Sequence, residues 1–289
     1  MVGALAQAYV EHDERGRFPP PGELVDIGGG EMIHLREWGT PNDKPTLLLF
    51  VSGYALSSAW AWIAQDLAAD YHLVAFDRPG MGWSSGGSGP RDAAHAADAL
   101  TRALEIAAIG PPYIVVAHSY GGFSGRVFAA QHRDDLVAVI LLDTSHPDAL
   151  GSGHGFVARM NALRAHAGLE LLVPLMGGYA SLPAGEGDAA NAVSRWTSHL
   201  DASADELETW TQTTHQVRAA GGFADLPLLI VAGAQSEDHR RYQLDLQQLS
   251  TASEFVALNV GHTAMLIQQD QAALVIDELR RFLANVMQP

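Results

Sequence analysis

Short apolar runs alternate with longer amphipathic stretches along most of this chain. The runs are rich in β-branched and aliphatic residues, which is typical of strands buried on both faces of a sheet. The stretches between them carry apolar residues at helical spacing. This pattern predicts eight strands, at residues 24–27, 32–38, 46–51, 72–76, 114–117, 136–142, 226–231 and 254–258.

Strands that alternate with helices indicate an α/β fold, in which a mostly parallel sheet has helices on both faces. The first two strands are separated by three glycines and are predicted to form an antiparallel hairpin at one edge. Residues 1–22 are predicted to be a short helical or irregular arm that ends in prolines. The predicted helices of the body are residues 55–69, 90–108, 123–132, 237–250 and 270–286.

Residues 147–223 break this alternation. They contain three helix-like pieces, at 156–166, 189–200 and 204–218, separated by glycine-rich turns. An unstructured loop of this length is unusual in a compact domain, so we expect an inserted helical segment. The sequence therefore predicts a body formed by residues 1–146 and 224–289, and an insertion formed by residues 147–223.

One serine lies where the fifth predicted strand changes directly into helical sequence. Ser119 has Ala117 two residues before it and Gly121 two residues after it. A sharp turn from strand to helix strains the residue at its corner, and small flanking residues avoid a collision across the turn. The turn presents the hydroxyl above the sheet, beside the free N–H groups of a helix N-terminus. This pattern predicts a nucleophilic serine.

The segment resembles the nucleophile elbow of the α/β-hydrolase family, Gly-x-Ser-x-Gly, with Ala117 in place of the first glycine. The Asp-Arg-Pro-Gly loop at residues 77–84 also resembles that family, and the resemblance extends over residues 24–286. It implies that residues 147–223 are a helical cap covering Ser119. Apolar residues expected to line the cap's inner face are Leu163, Leu171, Leu172, Val173, Leu175, Met176 and Trp196.

A serine nucleophile needs a base, and the base needs an acid that orients it. His262 follows a glycine in the loop after the last predicted strand, which makes it the predicted base. For the acid, two positions are open. Asp143 ends the sixth strand, whereas Asp238 or Glu237 follows the seventh, where most of the family carries its acid. We favour Asp143, because the other two already suit the first turn of a helix capped by Ser236.

An oxyanion hole needs two N–H donors aimed at the developing charge. The resemblance implies that the backbone of Tyr120, directly after the nucleophile, supplies one of them. It implies that Tyr54, in the loop after the third strand, supplies the other. Most relatives have His-Gly in that loop, whereas this chain has Ser52 followed by Gly53. The remaining histidines, His199 and His239 among them, show no metal-type spacing and are interpreted as surface or core residues, so no metal or cofactor is predicted.

Composition narrows the classes of partner and compartment. The 289 residues carry 33 acidic and 17 basic side chains, a formal charge of −16, which disfavours nucleic acid and anionic lipid as partners. There is no cysteine, and no apolar run reaches the roughly 18 residues of a membrane span. The N-terminus lacks the basic residues that precede the apolar core of a signal peptide, so we expect a cytoplasmic protein. The oligomeric state is left open.

The sequence therefore predicts a carboxylic ester hydrolase with a Ser119–His262–Asp143 triad, acting on small to medium apolar substrates. Lactone, thioester or carbon–carbon bond hydrolysis stays open, because the same triad serves those reactions. Two alternatives from other classes also stay open. One is a ligand receptor that keeps the triad, and the other is a cofactor-free lyase or perhydrolase on the same fold.

Overall fold

A computed structural model describes residues 2–87, 89–149, 154–172 and 178–288, with the backbone alone for His154. Its described residues form one sheet of eight strands. The strands are β1 (Glu23–Gly28), β2 (Glu31–Trp38), β3 (Thr46–Phe50), β4 (Leu73–Phe76), β5 (Tyr113–His118), β6 (Leu136–Leu142), β7 (Leu228–Ala232) and β8 (Ser253–Ala257).

The strand order in the sheet is β1-β2-β4-β3-β5-β6-β7-β8. From β4 to β8 in this order the strands are parallel to one another, whereas β2 is antiparallel both to β4 and to β1, with which it forms a hairpin at one edge. This arrangement confirms the predicted fold class. The carboxyl ends of β3, β5, β6, β7 and β8 therefore lie at the same edge of the sheet.

Helices cover both faces of the sheet. The helices are α1 (Val2–Arg17), α2 (Ala61–Leu67), α3 (Ala93–Ile106), α4 (Gly121–Gln131), α5 (His154–His166), α6 (Gly187–Val193), α7 (Thr197–Glu208), α8 (Trp210–Ala220), α9 (Glu237–Asp245), α10 (Ala264–Ile267) and α11 (Gln269–Val286). Alternate side chains of β3 enter different clusters, so Leu48 and Phe50 pack with α3 and α4, while Leu47 and Leu49 pack with α2 and α11. Burial on both faces explains why the strands have continuous apolar sequence.

Helices α5 to α8 all lie between β6 and β7, but two of them differ from the prediction. The predicted helix over 189–200 is interrupted at residues 194–196, and the next break falls at Thr209. Trp196 adopts an extended conformation (φ −62°, ψ 139°), which ends the helical run. Its indole is 1% exposed, donates to a Glu14 carboxylate oxygen at 3.1 Å and lies under the Arg15 guanidinium. Burial of this indole against α1 is the physical reason for the break.

The N-terminal arm is a regular helix over most of its length, α1, which contacts α5. Within the described residues, no helix is both long and apolar enough to cross a lipid bilayer.

We expect Gly121→Ala to destabilise the protein by about 1–3 kcal/mol, because a methyl group there would overlap the carbonyl oxygens of Phe50 and Val51. Gly16→Ala is the matched control, since that glycine lies in α1 with open space around it and alanine favours helix. Urea unfolding measures both variants. Equal stability of the two variants would show that the close approach at Gly121 carries no cost.

Candidate active site

Ser119 lies at the sharp turn between β5 and α4 and has a φ of 53°. Positive φ is strained for a residue with a side chain, and such strain is concentrated at functional sites. The helix that follows passes close to the sheet, because a methyl group on Gly125 would lie 3.1 Å from the Ala117 side chain. Ala117 is fully buried in this contact, so the small residue that replaces the family's glycine is accommodated.

Three side chains from different loops form one chain of hydrogen bonds. Ser119 Oγ lies 2.8 Å from His262 Nε2, and His262 Nδ1 lies 2.6 Å from Asp143 Oδ2. The carboxylate can only accept, so Nδ1 carries the proton and Nε2 is free to accept the serine hydroxyl. The three residues follow β5, β8 and β6, and they meet because these parallel strands end at one edge.

The acid that contacts the histidine ring is Asp143, not a residue after β7. Asp143 is fully buried, and its φ of 46° marks a second strained position. Of the described carboxylates, those of Glu237 and Asp238 make no hydrogen bond with His262; Asp238 instead pairs with Arg241 at 3.0 Å. Ser236 caps α9 by accepting from the His239 N–H, as the sequence suggested.

Burial alone would raise the pKa of Asp143, because it penalises the charged form. Hydrogen bonds from His239, His262 and the Gly233 N–H outweigh that penalty and hold the pKa well below its usual range. The carboxylate is therefore ionised at neutral pH.

Two contacts of Asp143 were missed by the sequence reasoning. His239 Nε2 lies 2.8 Å from Asp143 Oδ1, and the Gln235 side-chain amide donates to Oδ2. The sequence reasoning interpreted His239 as a surface or core histidine and did not foresee its contact with Asp143. The signal that could have found it is its place in the first turn of the helix after β7, the strand next to β6.

The expected oxyanion donors lie on two turns beside the serine. Tyr54 has a φ of 60°, a third strained position in this region. Neither its backbone N–H nor that of Tyr120 donates to any residue that the structure describes. Both groups are therefore available to a ligand oxygen.

The loop that carries Tyr54 is held by Arg78. The guanidinium donates to the carbonyl oxygens of Val51 at 2.6 Å and Ser52 at 3.1 Å. It also forms a buried ion pair with Glu206 of α7, with Nε 2.6 Å from the carboxylate. The loop is thus fixed by its backbone, although Ser52 replaces the histidine that most relatives carry there.

Helix α7 also contacts both expected donor residues. His199 Nε2 donates to the Tyr54 carbonyl oxygen at 3.1 Å, and His199 Nδ1 accepts from the Gly82 N–H at 3.0 Å. The Tyr120 hydroxyl donates to the Glu206 carbonyl oxygen at 3.3 Å. His199 is a buried residue, as interpreted from the sequence, but it connects the inserted segment to the loop of Tyr54.

A cavity of about 430 Å³ opens beside these groups. Residues 52–55 line one side of it, together with His118 and Thr263, the neighbours of the serine and of the histidine. The rest of the wall is mostly apolar and is formed by Ala59, Val157, Asn161, Tyr179, Ser194, Leu266 and Ile267. The cavity therefore lies beside the neighbours of the serine and of the histidine, and most of its surface is apolar.

None of the described residues expected to line the inner face of the cap is part of this wall. Leu163 and Leu172 are exposed, and Trp196 packs against α1 instead. Leu171 is also partly exposed and is not part of the wall. The other three, Val173, Leu175 and Met176, lie outside the described residues.

His118 supports the loop of the base. Its Nε2 donates to the His262 carbonyl oxygen at 2.8 Å, and the two rings are 4.8 Å apart. Burial is the main cause that lowers the pKa of His118 to about 3, so it is neutral at physiological pH. His118 therefore supports the backbone at His262 and also lines the cavity.

Residues 48–278 match the alpha/beta hydrolase family. The match covers most of the chain, which therefore belongs to this family. A curated relative, "Probable transporter efuK" from Hormonema carpetanum, is 26% identical over 241 residues, covering 80% of this chain and 34% of the relative. This chain thus spans about a third of that relative's length.

Solved structures show the same fold. The enol-lactonase from Burkholderia xenovorans LB400 has a TM-score of 0.67 at 19% identity, covering 91% of this chain and 100% of the other. A thermophilic esterase from Thermogutta terrifontis has a TM-score of 0.69 at 20% identity, covering 92% and 97%. At these identities the likeness extends to the fold alone.

We expect His199 to make stability fall with acidity. Burial is the main cause that lowers its pKa to about 4, against an ordinary value near 6.5. The contribution of neutral His199 to the free energy of unfolding is therefore complete above pH 6.5 and is lost as the pH falls through about 4. The reason is that the histidine takes up a proton at a higher pH in the unfolded chain than in the folded one. Urea unfolding at pH 7.5 and pH 5 should show a smaller loss for His199→Gln than for the wild type.

The exposed histidine His215 provides the matched control as His215→Gln. An equal loss of stability in the wild type and in His199→Gln would contradict the assignment.

Proposed function

We propose that the protein is a serine hydrolase that cleaves carboxylic esters through an acyl-enzyme. The observation that carries the proposal is the chain of hydrogen bonds from Ser119 Oγ through His262 to Asp143, at 2.8 and 2.6 Å. An isolated serine hydroxyl is a poor nucleophile, and a base within hydrogen-bonding reach is what activates it.

The reaction follows from the proton positions. Ser119 Oγ attacks the ester carbonyl carbon while its proton passes to His262 Nε2. The imidazolium then gives that proton to the leaving alkoxide, and an acyl-serine and an alcohol result. Water then attacks the acyl-serine and gives its proton to His262 Nε2. The imidazolium returns that proton to Ser119 Oγ, which releases the carboxylic acid and restores the serine. Asp143 keeps the proton on Nδ1 and stabilises the imidazolium in both halves.

The negative charge on the tetrahedral intermediate needs donors that are already in place. The backbone N–H groups of Tyr54 and Tyr120 are the proposed pair, supported by their lack of acceptors among the described residues. Losing one such donor typically costs about 10²–10³ in kcat.

The cavity supports small to medium apolar substrates. Its volume of about 430 Å³ and its mostly apolar wall suit an acyl or alkoxy group with few polar atoms. Val157, Asn161, Tyr179 and Ser194 come from the segment between β6 and β7. Their place in the wall supports the proposal that residues 147–223 are a cap over a body of residues 1–146 and 224–289.

We expect a fluorophosphonate probe to label the wild type at Ser119 and to leave Ser119→Ala unlabelled, because only an activated serine attacks phosphorus. Intact-mass and peptide mass spectrometry locate the label. A label on another residue, or turnover in Ser119→Ala equal to the wild type, would exclude a serine hydrolase with this nucleophile.

His262→Ala should lower kcat on p-nitrophenyl butyrate by about 10³-fold or more, because the serine loses its base.

We expect Asp143→Asn to cost about 10²- to 10⁴-fold in kcat, because an amide favours the wrong tautomer of His262. Asp238→Asn is the matched control, since that carboxylate is exposed and pairs only with Arg241 within the described residues. It should change kcat little. The assignment of the acid fails if Asp238→Asn is the slower enzyme of the two.

A further inference from the structure

Asp143 is shared between two histidines, one on each carboxylate oxygen. His262 Nδ1 lies 2.6 Å from Oδ2, and His239 Nε2 lies 2.8 Å from Oδ1. The triad uses one of these contacts. The other comes from α9 and has no role in the reaction described above.

We propose that His239 is a positioning residue that acts through Asp143, fixing the carboxylate and weakening its pull on the proton of His262. This inference rests on the proposed serine hydrolase function. His239 does not touch the serine, and its ring is 6.4 Å from that of His262.

The first part of the effect is geometric. Oδ1 accepts hydrogen bonds from His239 and, at 3.0 Å, from the Gly233 N–H. Two donors on this one oxygen restrict rotation of the carboxylate. This leaves Oδ2 directed at His262, with the Gln235 amide beside it. Without His239, Oδ1 keeps one donor and the carboxylate gains freedom to rotate.

The second part is electrostatic. A donor on Oδ1 withdraws negative charge from the carboxylate, and a protonated His239 would do so more strongly. In either charge state, removing His239 leaves more negative charge facing His262 and favours its imidazolium. The acid limb of the pH–rate profile should therefore move to higher pH.

The other groups around His262 do not replace this effect. The His118 ring lies 4.8 Å from that of His262, and it is neutral because burial is the main cause that lowers its pKa to about 3. On α9, Glu237 and Arg240 are exposed, and Asp238 is paired with Arg241. The His262 ring contacts Asp143, and Asp143 in turn contacts His239. These two are thus the ionisable groups that hydrogen bonds connect to the ring of the proposed base.

The experiment measures the rate of Ser119 phosphonylation by a fluorophosphonate probe, and of p-nitrophenyl butyrate hydrolysis, from pH 5 to 9. His239→Ala should shift the acid limb upward by about half a unit to one unit and lower the plateau by about 3- to 30-fold. His239→Gln can still donate from a similar position, so it should recover much of the plateau. An acid limb unchanged in His239→Ala overturns the inference.

Two controls separate this role from a general loss of structure. Leu244→Ala alters an exposed side chain on the same helix and should leave the profile in place. In the Asp143→Asn background, adding His239→Ala should cost little more, because its partner has already been changed. Full additivity of the two substitutions overturns an action through Asp143.

The outcomes also distinguish the inference from the function on which it rests. A wild type that the probe does not label at any pH rejects the serine hydrolase, and the inference with it. A wild type that is labelled, with a profile that His239→Ala leaves unmoved, rejects the inference alone.

Discussion

A fully buried carboxylate must be satisfied by the donors around it, and Asp143 obtains its donors from two neighbouring loops. Gly233, Gln235 and His239 follow β7, and His262 follows β8. These bonds hold together the strand ends after β6, β7 and β8. The position of the proposed base thus depends on the same carboxylate that would stabilise its charge, so structural support and proposed chemistry are provided by one group.

The oxyanion loop shows a second dependence, on the inserted segment. Arg78, in the body of the fold, donates a hydrogen bond to the Val51 carbonyl oxygen of this loop. His199, in α7, donates one to the Tyr54 carbonyl oxygen. The loop has Ser52 where the resemblance to the family implies a histidine. His199 from α7 contacts the backbone of the loop instead. A displacement of α7 would release Tyr54 and break the buried Glu206 ion pair together. The proposed oxyanion loop is therefore supported both by the body of the fold and by α7.

Local patterns predicted the parts of this structure that depend on local chemistry. The strands, the elbow at Ser119 and the helix cap at Ser236 follow from apolar runs, small residues and a capping side chain. His199 and His239 make contacts with residues far apart in sequence, as in the bond from His239 to Asp143, and the residues around each histidine do not specify those partners. The break before α7 has the same origin, because a contact with α1 decides where the indole of Trp196 lies.

The position of the acid can be explained by the geometry of the sheet. Adjacent parallel strands are about 4.8 Å apart, so carboxylates at the ends of β6 and β7 can each reach a histidine in the loop after β8. The resemblance offered the end of β7, at Glu237 or Asp238, as the alternative position. In this chain the end of β7 instead supplies Gly233 and Gln235, which donate to the carboxylate on β6. A carboxylate in place of Gln235 would therefore compete with Asp143 for the same histidine, and it would remove one of the donors that satisfy the buried charge of Asp143.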